Sequence, residues 1–271
     1  MPPRPPRHFY LIPPTYFQIE YAINDWMDPD IKADPHLAQS QWEELVQTYR
    51  GLGAEVETFE PIPGLPDQVF LGDAIFLHGD QAVASRFAVE ERRDEVEPMV
   101  ARFEARGYQV HRLPEEMRFE GNAEAIQWNG RVLAGYGVRS SAGALGYLGE
   151  LLNLDVVPLK LKAPYFHLDI AVCPLNDEIL AYVPTAFDEE SRTRLEGLGA
   201  EMIAIEDEEA RKLACNSMSI NGTVILSTSA VEKFPRDLEK AGFNVNFIDL
   251  TEFAKSGGGA KCLTLEAYPK I

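Results

Sequence analysis

Five short segments of this 271-residue chain share one plan, and that plan constrains its fold more than any other feature. Each is a helix-like stretch that ends at glycine or asparagine and runs directly into an alternating strand. They are Gly53-Ala-Glu-Val-Glu-Thr-Phe, Gly107-Tyr-Gln-Val-His-Arg-Leu, Asn153-Leu-Asp-Val-Val-Pro-Leu, Gly199-Ala-Glu-Met-Ile-Ala-Ile and Gly242-Phe-Asn-Val-Asn-Phe-Ile, with successive starts 54, 46, 46 and 43 residues apart. Glycine or asparagine is what a helix C-terminus takes when the backbone turns left-handed. The runs that follow have the period-two alternation of strands. Helices leading into them are expected at 36–50, 88–106, 140–152, 187–198 and 229–241.

Strand pairs lie between these segments. Asp73-Ala-Ile-Phe-Leu faces Gln81-Ala-Val-Ala-Ser across the turn at 78–80, and Ala125-Ile-Gln-Trp faces Arg131-Val-Leu-Ala. Ile170-Ala-Val with Glu178-Ile-Leu-Ala has the same form, and Ser219-Ile meets Thr223-Val-Ile-Leu across Asn221-Gly222, a dipeptide that favours a type I′ hairpin. The unit is hairpin, helix, strand, repeated about five times. One such unit exposes an apolar face that only its neighbours can cover. Five in a closed ring would bring the starts of their hairpin strands to a central axis. An open doubly wound sheet needs single strands alternating with helices, and the hairpins do not supply that. No Gly/Ser- or Pro-rich tract divides the interior, so residues 1–271 read as a single α/β domain.

The net charge of −18 works against nucleic acid, whose phosphates it would repel. It suits a small cationic substrate, although Glu-rich helices that keep the chain in solution account for most of it. Cys173, Cys215 and Cys262 fit neither a disulfide framework nor a zinc site, and a sparse, odd count fits a reducing cytoplasm. The basic opening Met-Pro-Pro-Arg-Pro-Pro-Arg lacks the apolar region of a secretory signal. No apolar run approaches the roughly 18 residues a membrane span needs. A cytoplasmic protein without nucleic-acid or membrane partners is expected, with homo-oligomerisation left open.

Chemistry concentrates where the hairpins begin. Lys255-Ser-Gly-Gly-Gly-Ala-Lys-Cys262-Leu-Thr-Leu sets a thiol after three glycines and beside a lysine. Such a loop lets a ligand approach the backbone closely, and positive charge from Lys261 would lower the thiol pKa from about 8.5. It lacks the Gly-Lys-Ser/Thr ending of a phosphate loop. Other polar residues stand at Asp67 and Asp73, at Glu120 and Glu124 around Gly121-Asn122, and at His167-Leu168-Asp169. Taken singly, His167 reads as a core histidine, Asp73 and Glu120 as turn or cap residues, and Arg86 and Arg139 as surface charges. His8, His36, His78 and His111 read as surface or turn residues, and Cys173 and Cys215 as buried small hydrophobes.

Taken in order, Phe-x-x-Asp at 70–73, Phe-Glu-Gly at 119–121, His-Leu-Asp at 167–169 and the glycine loop before Cys262 resemble the guanidine-modifying enzyme superfamily, the pentein fold. That superfamily includes arginine deiminases, agmatine deiminases, dimethylarginine dimethylaminohydrolases and arginine amidinotransferases. The resemblance covers nearly the whole chain and implies a propeller of five pseudo-symmetric ββαβ units around a central active site. It implies Cys262 as nucleophile, His167 as acid and base, and Glu120 as the partner orienting His167. Asp73 and Asp169 would hold the guanidinium, and Arg86 and Arg139 a substrate carboxylate. Asn24, in the opening segment Pro13–Met27, is taken to line the substrate pocket, as is Glu124.

The implied activity is hydrolysis of arginine or an Nω-substituted arginine to citrulline plus ammonia or an alkylamine, with neither cofactor nor metal. The nearest alternatives are an arginine dihydrolase giving ornithine, a dimethylargininase and an arginine amidinotransferase. A non-enzymatic alternative is the ribosome anti-association factor of the same fold, which lacks the Cys and His. Dihydrolases usually carry asparagine at the place of Asp73 and aspartate at that of Glu124. An acid at 169 matches members acting on an unsubstituted guanidinium.

Overall fold

The computed structural model describes residues 7–228 and 231–268, so the first two residues of the helix expected at 229–241 and both ends of the 1–271 domain lie outside the described residues. In chain order the strands are β1 (His8–Leu11), β2 (Glu55–Thr58), β3 (Ile75–His78), β4 (Gln81–Ala84), β5 (Gln109–His111), β6 (Ala125–Trp128), β7 (Arg131–Tyr136) and β8 (Val156–Lys160). They continue as β9 (Val172–Pro174), β10 (Ile179–Tyr182), β11 (Glu201–Ala204), β12 (Met218–Ile220), β13 (Thr223–Leu226), β14 (Asn244–Phe247) and β15 (Leu265–Ala267). These form five three-stranded sheets of one design, in which the middle strand pairs antiparallel on one side and parallel on the other. A helix joins each middle strand to its parallel neighbour: Pro35–Gly51, Val96–Glu104 behind a 3-10 turn, Ala142–Leu152, Glu189–Glu196 and Lys233–Lys240.

Local chemistry accounts for the boundaries. Pro35 opens the first helix, and the Asp34 side chain accepts the amides of His36 and Leu37, satisfying donors that have no partner within the helix. Its inward stripe, Ala38, Trp42, Leu45, Val46 and Tyr49, joins the main core. The residues expected to end the helices all have positive φ: 87° at Gly53, 86° at Gly107, 53° at Asn153, 85° at Gly199 and 88° at Gly242. Asn221 and Gly222, at φ of 50° and 79°, make the expected tight turn between β12 and β13. His78 departs from its expected surface setting. It is buried, and its Nδ1 lies 2.9 Å from Gln127 Nε2. No helix among the described residues is long and apolar enough to cross a membrane.

The fifth hairpin is built from the two ends of the chain. β15 runs antiparallel to β1, and β1 parallel to β2. Arg7 grips Glu266 of β15 through two hydrogen bonds of 2.6 and 2.7 Å and also donates to the carbonyl of Ser219 in the neighbouring sheet. A pentein propeller of five pseudo-symmetric ββαβ units results. At its centre meet the short turns that precede each hairpin, among them Leu71–Asp73, Gly121–Glu124 and Leu168–Ile170.

Gly121 is a point of this centre walled in by backbone. Its φ is 60°, and a Cβ there would lie 2.6 Å from the carbonyl oxygen of Gly72 and 2.8 Å from those of Asp73 and Ile75. Backbone on three sides cannot yield as a flexible side chain would. Gly121→Ala is expected to destabilise the protein by about 2–4 kcal/mol, combining left-handed strain with overpacking. Denaturant unfolding would show this as a lowered midpoint with an unchanged slope.

Candidate active site

The loop after Phe253 carries the thiol to the axis. Gly258 packs under the Phe70 ring, so close that a Cβ would lie 2.3 Å from the ring edge. Cys262 is buried; its Sγ lies 3.1 Å from Asp169 Oδ2, to which the thiol donates, and 3.1 Å from Asn216 Nδ2. The expectation that Lys261 activates the thiol fails. Lys261 is buried with its Nζ 3.3 Å from the Tyr268 hydroxyl and 3.6 Å from Glu266, where that acid balances its charge. Burial, then Asp169 and Asp73, instead push the Cys262 pKa well above the usual thiol range, as negative neighbours must.

His167 faces the same cavity. Its Nε2 lies 2.7 Å from Glu120 Oε2 and its Nδ1 3.9 Å from Asp73 Oδ1. Burial alone would lower its pKa, but Asp73, Glu120 and Glu124 together outweigh it and raise the imidazole to about 9. Burial likewise opposes ionisation of Glu120. The bond and charge of His167, the charge of Arg139 and the Ala88 amide overcome that and hold Glu120 at about 2. His167 and Glu120 therefore form an ion pair at neutral pH. Glu124 lies behind them, its Oε2 accepting the Leu168 amide at 3.2 Å. Burial, with Glu120 and Asp169 adding, raises it to about 7.

Two arginines line the cavity, and one of them is unexpected. Arg139 donates to Glu120 at 3.3 Å and to the Ile23 carbonyl at 2.5 Å, above the Phe166 ring. Arg86 is exposed and does not reach the cavity. Strand alternation turns Ser85 and Phe87 inward and Arg86 outward, while its backbone bridges to Phe119. Arg92 stands in the cavity wall in its place, paired with Asp73 and with Glu95 at 2.7 and 2.9 Å, its guanidinium over Phe87. Asn24 also lines the cavity, but both ends of its amide brace the wall: Nδ2 donates to the Ser256 carbonyl and Oδ1 accepts the Trp26 amide.

A small cavity, partly open to solvent, lies among Asp73, Arg92, Arg139, His167 and Cys262. Asp73 Oδ1, Asp169 Oδ1 and His167 Nδ1 are buried and hydrogen-bond to no protein group. Asp73, Asp169 and Cys262 bring ligand-type atoms within 4.8 Å of one another, the one such group with cation-binding donors among the described residues. Two carboxylates and a thiol could hold a divalent ion; a planar organic cation with several N–H groups would meet the same acceptors. Asn216, at the start of the β12–β13 hairpin, is the other residue the sequence reading missed. Its signal was its place in the repeat, where the other units carry Asp73, Glu120, His167 and Cys262.

The charge around the sulfur gives a direct test. Carbamidomethylation of Cys262 by iodoacetamide, followed on its peptide by mass spectrometry, is expected to accelerate steadily above pH 8 without levelling off. Asp169→Asn should accelerate it at fixed pH by roughly tenfold or more, since each pKa unit lost multiplies the thiolate fraction tenfold.

The geometry has counterparts among known proteins. Residues 6–268 match the family model described as N,N dimethylarginine dimethylhydrolase, eukaryotic. The chain is 38% identical to an N(G),N(G)-dimethylarginine dimethylaminohydrolase of Mycobacterium tuberculosis, over 97% of this chain and 86% of that protein. It is also 38% identical to ArgZ of Synechocystis sp., a bifunctional arginine dihydrolase/ornithine cyclodeaminase, over 96% of this chain and 38% of that longer protein. The crystal structure of the N-terminal domain of ArgZ bound to product superposes with a TM-score of 0.93 at 34% identity, covering 98% of this chain and 99% of that one. With that fold, that sequence likeness and a cysteine, a histidine and acids around one cavity, the chain belongs to the dimethylarginine dimethylaminohydrolase family of guanidine-modifying penteins, hydrolases of C–N bonds in amidines.

Proposed function

We propose that this protein hydrolyses the guanidinium group of free L-arginine, or of an Nω-substituted arginine, to citrulline plus ammonia or an alkylamine through a covalent adduct on Cys262. The observation that carries this reading is the pair of unmatched acceptors, Asp73 Oδ1 and Asp169 Oδ1, beside the Cys262 thiol, with the imidazole Nδ1 of His167 in the same cavity wall as Asp73 and Cys262. Buried acceptors without donors are costly, and a guanidinium supplies planar N–H groups with the balancing charge.

The roles follow from the positions. Asp73 and Asp169 accept the guanidinium N–H groups and fix its plane. The arriving cation offsets the two charges that hold the thiol protonated, so Cys262 loses its proton to solvent and attacks the central carbon. His167, whose Nε2 is held by Glu120, uses Nδ1 to protonate the departing amine as the C–N bond breaks, leaving a thiouronium on sulfur. Water then gives a proton to the same nitrogen, adds to the carbon and expels the thiolate. Arg92 and Arg139 fit an α-carboxylate, and the buried carboxyl of Asp67 in the same wall fits an α-ammonium.

Likeness to ArgZ favours a second reading, in which hydrolysis continues to ornithine. Asp73 supports stopping at citrulline, because a carboxylate suits a cation better than a neutral urea. Purified protein offered L-arginine, agmatine and asymmetric dimethylarginine, with citrulline, ornithine, ammonia and dimethylamine quantified, tests both readings. Citrulline and ammonia from arginine are expected, with agmatine's kcat/KM lower by roughly 30- to 150-fold for want of the carboxylate. Arginine should also outrun the dimethylated substrate, whose methyl groups replace N–H donors. Equal use of agmatine would remove the amino-acid reading, and accumulation of ornithine would replace it with the dihydrolase.

The pH profile carries a second expectation. His167 acts in its protonated form and keeps its proton up to about 9, while thiolate becomes more abundant with rising pH. Therefore kcat/KM should climb from neutral pH towards about 9 and then level or fall. Glu120→Gln removes charge that holds the proton on His167, so its descending limb should move to lower pH, as steady-state rates across the range would show.

A further inference from the structure

We propose that Asn216 is a further catalytic residue, whose side-chain amide donates a hydrogen bond to the Cys262 sulfur and stabilises it as the anion that attacks and departs. The inference rests on Cys262 being the nucleophile and adds a partner for it.

Asn216 is wholly buried where the β12–β13 hairpin begins. Its amide spans from the glycine loop to Asp169. Oδ1 accepts the backbone N–H groups of Gly259 at 2.8 Å and Cys262 at 3.1 Å. Nδ2 donates to the Asp169 carbonyl at 3.2 Å and to Cys262 Sγ at 3.1 Å. The orientation of an asparagine amide must normally be inferred, but these partners settle it. Two backbone N–H groups can only donate, so the oxygen must face them, and a carbonyl can only accept, so the nitrogen must face Asp169 and the sulfur beside it.

The surroundings of the sulfur give this bond its weight. Asp169 and Asp73 are negative neighbours that oppose a thiolate, and Lys261 is engaged with Tyr268 and Glu266. An N–H aimed at the sulfur favours the charged form over the neutral one. The Gly259 backbone works in the same direction. Gly259 itself is held by Asn216, and a Cβ there would lie 2.4 Å from Ser227 Oγ, so the loop cannot shift without breaking this set. Asn216 thus both fixes the height of the nucleophile and supplies a donor to its charge.

Asn216→Asp keeps the acceptor oxygen for both backbone amides and replaces the N–H with a charged oxygen, whereas Asn216→Ala removes the N–H without adding a charge. Iodoacetamide labelling of the Cys262 peptide across pH reads the sulfur without requiring turnover, so its result stands even if the substrate assignment fails. In Asn216→Asp labelling at fixed pH is expected to slow by roughly 10- to 100-fold or more, since a hydrogen bond to the charged sulfur is lost and an opposing charge is added, and kcat to fall by a similar factor. Asn216→Ala, free of the added charge, should still slow labelling by roughly tenfold or more. Ser227→Ala, which removes the hydroxyl accepting the Ala260 amide at 2.9 Å without touching the sulfur, should lower the melting temperature yet leave labelling near the wild-type rate. Wild-type labelling and turnover in Asn216→Asp would overturn the proposal. So would equal slowing in Ser227→Ala, which would reduce Asn216 to a loop brace.

Discussion

Pairing of β1 with β15 is the contact on which the rest of the molecule depends. Four of the five sheets are assembled from nearby sequence, but the fifth requires the two ends of the chain to meet. Leu265, the first residue of β15, follows Cys262 by three positions, so the strand register that places Leu265 opposite Tyr10 also fixes the thiol at the axis. The Arg7–Glu266 pair reinforces this closure with two charge-assisted bonds, and the Asn122 amide reaches the Glu266 carbonyl from the sheet of β6. A thiol on a glycine loop could easily be mobile; here strand pairing immediately downstream removes that freedom.

Closure gathers a charge distribution that would be untenable in a simple core. Asp67, Asp73, Glu95, Glu120, Glu124 and Asp169 are all buried near one imidazole and two arginines. Burying so many acids is affordable only because the acids share cations: Arg92 serves Asp73 and Glu95, and Glu120 is shared by His167 and Arg139. The balance still leans negative, which favours a protonated thiol and a charged imidazole. A cationic ligand therefore changes the protonation of the site as well as filling it, which couples recognition to reactivity.

Much of this was legible in the sequence, for identifiable reasons. Gly53, Gly107, Asn153, Gly199 and Gly242 announced the repeat because a helix that turns straight into a strand needs a left-handed residue, and few residue types supply one. Cys262, His167, Glu120, Asp73 and Asp169 stood out as polar groups where the repeat otherwise calls for core. Arg92 did not, because it sits within Glu90-Glu-Arg-Arg-Asp-Glu95, a run with the composition of a solvated face. Its burial comes from packing against Asp73 and Phe87, which are distant in pattern if not in number. Arg86 misled for the converse reason: it follows a strand as an inward residue might, but lies one position out of phase with Ser85 and Phe87. The effect of Lys261 was misjudged because adjacency in sequence says nothing about direction, and consecutive side chains here point to different surroundings. The joining of the termini carried no local signal at all.

Each of the five repeats contributes at least one group to the centre: Asp73 ahead of β3, Glu120 ahead of β6, His167 with Asp169 ahead of β9, Asn216 ahead of β12 and Cys262 ahead of β15. No single repeat holds both the thiol and the imidazole, although each sheet is locally complete. Partly assembled forms would hold hydrogen-bonded sheets and considerable apolar burial while having no chemistry, and the thiol would meet its acid neighbours only when the circle is complete. The fold thereby brings Cys262 to its acid neighbours only once β15, which follows the other four units in the chain, has paired with β1.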